Sequence, residues 1–129
     1  MWNLVLAYIS IVVVMLVLDA VWLGWLAKNF YRRGLSRAVV FEVRWWAAMF
    51  FYVLHPAGTL FFAVLGYEEV PAILLRGAFF GLVTYGTYNL TNLATVRHWP
   101  LGVALVDMVW GACLTMLAAL AAATILYIM

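Results

Sequence analysis

Two acidic residues, Asp19 and Asp107, lie within long apolar stretches of the sequence, and the same short motif follows each of them. Both begin the pattern Asp-x-Val-Trp, whose tryptophans are Trp22 and Trp110. A carboxylate in hydrocarbon is costly unless it has a partner or takes up a proton, so such residues usually serve a function. Two carboxyl groups that share a proton can move protons, bind a cation or perform acid–base catalysis.

The composition indicates that these acids belong to a membrane protein. Of the 129 residues, 70% are hydrophobic and only 9% are charged, whereas soluble domains are about half apolar and about a quarter charged. A spanning helix needs roughly 20 apolar residues. We therefore expect one all-α domain over residues 1–129, an integral membrane four-helix transmembrane bundle in the lipid bilayer. Its spans are predicted at about residues 3–26, 45–65, 72–95 and 101–127.

The charges of the connectors predict the orientation of this bundle. Six of the seven Lys and Arg residues lie in the first and third connectors, whereas the second holds Glu68 and Glu69. Because basic loops mark the cytoplasmic side, we expect both termini outside, in a multi-pass protein of the bacterial inner membrane. Arg76, inside span three, is expected to reach lipid headgroups or to pair with Glu68 or Glu69. The first span lacks the basic start and the cleavage site of a signal peptide, and is interpreted as retained.

With this topology, costly polar side chains from all four spans fall at similar depths in the cytoplasmic half of the membrane. Asn89 and Asn92 share a helix face with Tyr85, and Tyr88 lies beside that face. They either form a ligand site with the acids or only bond neighbouring helices. His55 is either a proton carrier or ligand contact, or a neutral side chain satisfied by a neighbour. The predicted ligand-binding residues are Asp19, Trp22, His55, Tyr85, Tyr88, Asn89, Asn92, Asp107 and Trp110.

Other kinds of site fit the sequence poorly. Cys113 is the single cysteine, so it forms no internal disulfide, and we expect it in the core. One His and two Asp residues without a cysteine at helical spacing do not match zinc sites, so no metal is expected. His55 and His98 fall at different depths, which disfavours haem, and we expect no cofactor. Nucleic acid is not an expected partner, because no basic run carries interleaved aromatic residues.

Two features leave alternatives open. Gly77 and Gly81 form a Gly-x-x-x-Gly pair, which predicts close helix packing either inside one protomer or at the seam of a homodimer. The first connector alternates basic residues with Phe30, Tyr31 and other apolar residues. This pattern is typical of an amphipathic helix on the inner leaflet, although an anchoring loop would also account for it.

Three motifs together resemble one family. Leu-Asp-x-x-Trp-Leu-Gly, Asn-Leu-Thr-Asn-Leu-Ala-Thr and Val-Asp-x-x-Trp-Gly occur in spans one, three and four. With them, nearly the whole chain is similar to the small bacterial membrane proteins grouped as domain of unknown function 2177. The resemblance implies a four-span inner-membrane protein and no particular activity. The matching positions are Asp19, Trp22, Gly24, Asn92, Thr95, Asp107, Trp110 and Gly111. Where this family would often carry an aspartate, the present chain has Asn89, so a third carboxylate is not essential here.

Three functions compete on these observations. The first is a binding or transport protein for protons or a small polar or cationic ligand. The second is a membrane-embedded enzyme that acts on a lipid, in which Asp19 and Asp107 do acid–base work and Trp22 and Trp110 wall a pocket. The third is an accessory subunit whose polar cluster only fixes the packing of the helices. We favour the first, because two acids, two amides and a histidine converge at one depth.

Overall fold

Four long apolar helices form the framework of the protein, as the composition predicts. The computed structural model describes residues 1–26, 28–35 and 44–128, and the helices found there confirm the all-α fold class. Helix α1 (Trp2–Val21) continues into a π-helical turn (Trp22–Leu26), and the short α2 (Lys28–Leu35) follows. Helix α3 (Trp45–Thr59) ends in a second π-helical turn (Leu60–Val64), and α4 covers Val70–Thr95. Helix α5 (Leu101–Ala123) ends in a third π-helical turn (Thr124–Ile128).

Among the described residues, four segments are long and apolar enough to cross a bilayer: Trp2–Trp25, Trp45–Val64, Val70–Thr95 and Leu101–Ile128. The connectors between the later spans are short and turn sharply. Gly66 adopts a φ of 88° after α3, which glycine tolerates because it lacks a Cβ atom. Pro71 lies in the first turn of α4 and Pro100 is the N-cap of α5, positions where the missing N–H costs little.

Small residues bring α4 and α5 into close contact along most of their length. Gly77 and Gly81 are buried, and a Cβ atom on Gly81 would overlap the carbonyl oxygen of Gly111 in α5. Gly111 in turn leaves room for the ring of Tyr85, which a Cβ atom there would overlap. The Gly-x-x-x-Gly pair therefore packs inside the protomer, and the alternative that it forms a dimer seam does not apply to its buried face.

One face of α1 points toward α5, and this face changes from apolar to polar along its length. Ala7, Ile11, Met15 and Asp19 are all buried and follow each other at intervals of four residues. The first three pack in the apolar core with Leu114 and several alanines of α5. Asp19 continues the same stripe, so the backbone that buries the core residues also fixes the acid inside the bundle.

The first connector contains the helix α2, in which Tyr31 is half-buried while Lys28 and Arg32 are exposed. The rest of that connector, residues 36–43, lies outside the described residues, as does Ala27. The expectation that Cys113 lies in the core is wrong, because its side chain is exposed on α5. Its neighbours Leu114 and Thr115 occupy the buried face of the helix instead.

Candidate functional site

Asp19 receives two hydrogen bonds from two other spans. The hydroxyl of Tyr52 in α3 donates to one carboxylate oxygen at 2.5 Å, and the indole Nε1 of Trp110 in α5 donates to the other at 2.9 Å. The Asp19 side chain is only 8% exposed. Three spanning helices thus meet at this carboxylate.

Asp107 also receives two hydrogen bonds, one on each carboxylate oxygen. The amide Nδ2 of Asn89 in α4 donates to Oδ2 at 2.7 Å, and the hydroxyl of Tyr31 in α2 donates to Oδ1 at 3.1 Å. Burial, and after it the negative charge of Asp107, raise the pKa of Tyr31, so this hydroxyl remains a donor. Asp107 therefore connects α4 and α5 to the short helix outside the spans.

The two tryptophans of the repeated motif connect these two carboxylates. The rings of Trp22 and Trp110 stack with centroids 4.4 Å apart and planes 7° from parallel. Trp110 donates to Asp19, and Trp22 donates to the hydroxyl of Tyr31 at 3.2 Å, which itself donates to Asp107. Trp110 of the second motif thus bonds Asp19 of the first motif directly. Trp22 of the first motif is linked to Asp107 of the second motif through Tyr31.

Asn89 leaves one acceptor without a donor beside this network. Its side chain is fully buried, and its Nδ2 bonds the carbonyl oxygen of Tyr85 as well as Asp107. Its Oδ1 is buried and has no hydrogen-bond partner among the described residues. A buried carbonyl oxygen without a donor costs about 1–3 kcal/mol. In the part of the chain that the structure describes, the site therefore has an acceptor that no donor satisfies.

The predicted residue His55 lies in a different environment from the carboxylates. Its ring is stacked between Phe51 and Phe80, each with its centroid 5.2 Å away, and its Nε2 lies 3.0 Å from the hydroxyl of Thr115. The side chain is 4% exposed. This arrangement corresponds to the alternative in which a neutral histidine is satisfied by a neighbour.

The remaining predicted residues lie on α4 around Asn89. Tyr85 contributes its carbonyl oxygen to Asn89, and its ring packs edge-on against His55 at 5.8 Å. Tyr88 is exposed, packs edge-on against Trp99 and lies within reach of the Asn92 side chain. The structure thus brings together Asp19, Trp22, Asn89, Asp107 and Trp110 in one network, with Tyr85 at its edge and Tyr88 and Asn92 outside it.

Sequence reasoning missed two members of the network, Tyr31 and Tyr52. Tyr52 lies three residues before His55, on the same face of α3, and this spacing was the available signal. Tyr31 lies on the connector, where its amphipathic pattern suggested the membrane surface. Within the described residues, no group of three or more His, Cys, Asp or Glu side chains is placed to hold a metal ion.

Comparisons with known proteins agree with the membrane fold. The model of a family described as predicted membrane protein, domain of unknown function 2177, matches residues 4–124. No curated protein and no solved structure matches the chain.

Proposed function

The chain belongs to this family of predicted membrane proteins, and we propose that it binds, and carries across the membrane, protons or a small cationic ligand at the Asp19–Asp107 site. In this proposal the site lies in the cytoplasmic half of the membrane, as expected from the basic residues of the first and third connectors. In this proposal Asp19 and Asp107 take up the positive charge. Trp22, Trp110, Tyr31, Tyr52 and Asn89 hold the two carboxylates in place.

One observation carries the proposal: among the described residues, the hydrogen-bond donors to the two carboxylates are neutral groups. The four donors are the phenols of Tyr31 and Tyr52, the indole of Trp110 and the amide of Asn89. A charge in hydrocarbon that has no opposite charge beside it either binds a proton or favours a cation. The unpaired Oδ1 of Asn89 adds a further acceptor that a proton-donating ligand would satisfy.

The way into the site also supports a binding function. Tyr31 reaches Asp107 from α2, which carries exposed Lys28 and Arg32 and therefore suits the membrane surface. Displacement of this one phenol would open Asp107 toward the surface without moving a spanning helix. Four spans make a small carrier, and a homodimer that shields the polar site is part of the proposal.

The test is a flux assay with the full chain in sealed liposomes. A pH-sensitive dye inside the liposomes reports protons, and a panel of labelled ammonium, guanidinium and neutral polar solutes reports ligands. We expect saturable flux or binding of a proton or a cationic solute in the wild type, and its loss in Asp107→Asn. A flat response of the wild type over the whole panel would falsify the proposal.

A second function is favoured by one specific observation. A groove of about 460 Å³ runs along the lipid-facing side of the tryptophan pair, lined by Trp22, Leu105, Val106, Val109, Trp110 and Cys113. A lipid chain in this groove would contact Trp110, whose indole N–H donates to Asp19. Lipid mass spectrometry of a deletion strain tests this alternative, and an unchanged lipidome argues against it.

A further inference from the structure

A second groove lies between the π-helical turn Leu60–Val64 and the first half of α4. Its volume is about 530 Å³, and it is lined by Phe62, Leu75, Arg76, Phe79, Phe80 and Val83. Leu75 is 72% exposed and Phe62 is 58% exposed, so the groove opens toward the surrounding lipid. Its walls are hydrocarbon and aromatic rings, and its one charged side chain is that of Arg76.

The floor of this groove is fixed by close packing. The ring of Phe80 lies over Gly58, where a Cβ atom would be only 2.7 Å from the ring edge. Phe62 stacks on the same ring with centroids 5.6 Å apart, and His55 stacks on it at 5.2 Å. Phe62 itself belongs to the π-helical turn Leu60–Val64. A preformed apolar groove of this kind loses little conformational entropy when a hydrocarbon chain fills it.

Arg76 in the groove wall contacts the short connector that carries Glu68 and Glu69. The guanidinium carbon of Arg76 lies 3.9 Å from the centroid of the Tyr67 ring, a cation–π contact that holds the arginine near the connector. Glu68 and Glu69 directly follow Tyr67, and both are exposed. This contact with Tyr67 is additional to the two pairings expected for Arg76, with headgroups or with these glutamates, and it leaves the guanidinium N–H groups able to bond a phosphate.

We propose that this groove binds a zwitterionic aminophospholipid. One acyl chain lies along Phe62, Phe79 and Val83, the phosphate bonds Arg76, and the ammonium group bonds Glu68 or Glu69. A guanidinium group binds phosphate through charge-assisted hydrogen bonds. A headgroup with only negative charge would leave the two carboxylates facing a like charge, and a quaternary ammonium group has no N–H to donate to them.

This lipid site is independent of the carboxylate site and does not require that the chain transports anything. A groove of about 600 Å³ along α1, lined by Asn3, Leu6, Ile9, Ser10, Val13, Val14 and Ile125, has no charged side chain in its wall. This groove along α1 is a comparison within the same protein: a lipid bound there would meet no charged side chain of the groove wall that could select its headgroup.

The experiment is a competition between lipids for the purified full chain, read by native mass spectrometry. Phosphatidylethanolamine, phosphatidylcholine and phosphatidylglycerol with identical acyl chains are offered in equal amounts. We expect one phosphatidylethanolamine to be retained in preference to the other two. Arg76→Gln is expected to lower its retention about tenfold, which corresponds to the loss of one charge-assisted hydrogen bond. The double variant Glu68→Gln, Glu69→Gln is expected to shift the preference toward phosphatidylglycerol.

Arg97→Gln is the matched control, because Arg97 lies at the other end of α4 and its loss should leave the preference unchanged. Circular dichroism of each variant reports whether it folds, and Arg76→Lys, which keeps the charge, should retain more lipid than Arg76→Gln. The proposal is wrong if phosphatidylglycerol is preferred by the wild type, or if Arg76→Gln retains as much phosphatidylethanolamine as Arg97→Gln. It is also wrong if the double glutamate variant keeps the wild-type order of the three lipids.

Discussion

At the residue scale, each acid of the site meets two neutral donors, one on each oxygen. Asparagine has almost the shape of aspartate but no charge, and it can keep the same hydrogen-bond partners at both positions. At position 19, an asparagine can accept from Trp110 and donate to Tyr52, because a phenol oxygen also accepts. At position 107, it can accept from Asn89 and donate to Tyr31.

Asp19→Asn and Asp107→Asn are therefore expected to fold as well as the wild type and to lose proton or cation flux. Removal of a buried charge relieves its desolvation cost, so the free energy of unfolding should stay equal or rise slightly. Unfolding by sodium dodecyl sulfate in mild detergent and the liposome flux assay measure the two quantities. If the variants are less stable and yet retain flux, the polar cluster is structural, as the accessory-subunit hypothesis holds.

The two tyrosines provide a second prediction at this scale. Tyr31→Phe removes the donor to Asp107 and leaves the Trp22 N–H without its acceptor, whereas Tyr52→Phe removes one donor to Asp19. At about 1 kcal/mol for each hydrogen bond, Tyr31→Phe should destabilise the protein about twice as much as Tyr52→Phe. The same detergent unfolding experiment measures this difference.

The control is Tyr8→Phe, which removes a hydrogen bond to the carbonyl of Val53, away from the acids. It should cost about as much stability as Tyr52→Phe while it leaves flux unchanged. Equal destabilisation by Tyr31→Phe and Tyr8→Phe would mean that the Tyr31 hydroxyl does not make both of these hydrogen bonds.

Some residues of the site could be predicted from the sequence, and others could not. Asp19 and Asp107 were predictable because a carboxylate among apolar residues is conspicuous, and Asn89 because it lies at helical spacing from other polar residues. It was not predictable that each tryptophan would connect to the aspartate of the other motif, since this depends on how α1 and α5 are rotated against each other. The separate position of His55 has the same cause, because periodicity fixes a face of one helix but not its partner.

At the scale of elements, the α4–α5 contact holds the site together, because Asn89 and Asp107 lie on these two helices. Hydropathy was sufficient to predict the four spans, whereas the orientation expected from the connector charges stays a prediction. The three π-helical turns were not predicted. The spacing of apolar residues in a short segment does not show whether a backbone N–H bonds the carbonyl four or five residues earlier. One of these turns begins at Trp22, and such turns are frequent at functional sites.

Gly81→Ala tests the importance of this contact. The added methyl group would overlap the backbone of Gly111, which cannot move as a flexible side chain can. We expect a loss of about 1–3 kcal/mol in the free energy of unfolding, as for other overpacked cores. Loss of flux should accompany it, because Asn89 would shift away from Asp107.

Gly102→Ala is the matched control on α5, since a Cβ atom there meets nothing within 4 Å. It should be neutral or slightly stabilising, because alanine favours helices more than glycine does. A Gly81→Ala variant as stable as Gly102→Ala would show that α4 and α5 are not held in this close contact.

At the scale of the whole molecule, the distribution of charge predicts which side of the membrane the carboxylates are nearest. The basic connectors lie at the same end of the bundle as the site, and Glu68 and Glu69 lie at the other end. The orientation is therefore also a prediction about the compartment with which the site exchanges protons or ligand.

A cysteine labelling experiment measures this orientation. Cys113 is replaced by alanine, and Glu68→Cys or Arg97→Cys is introduced into that background. In spheroplasts, a maleimide that does not cross the membrane should label position 68 and not position 97. After the membrane is opened, both positions should react. The reverse pattern would place the acids near the outer face and overturn the cytoplasmic assignment.

The parallel rings of Trp22 and Trp110 have a spectroscopic consequence. Two indoles that overlap at 4.4 Å couple their electronic transitions, and a pair held at a fixed angle in a chiral protein gives a split band in ultraviolet circular dichroism. Because one indole bonds Asp19 and the other bonds Tyr31, any event that changes either carboxylate should alter that band. The protein thus carries an intrinsic optical probe of its own site, which requires no attached label.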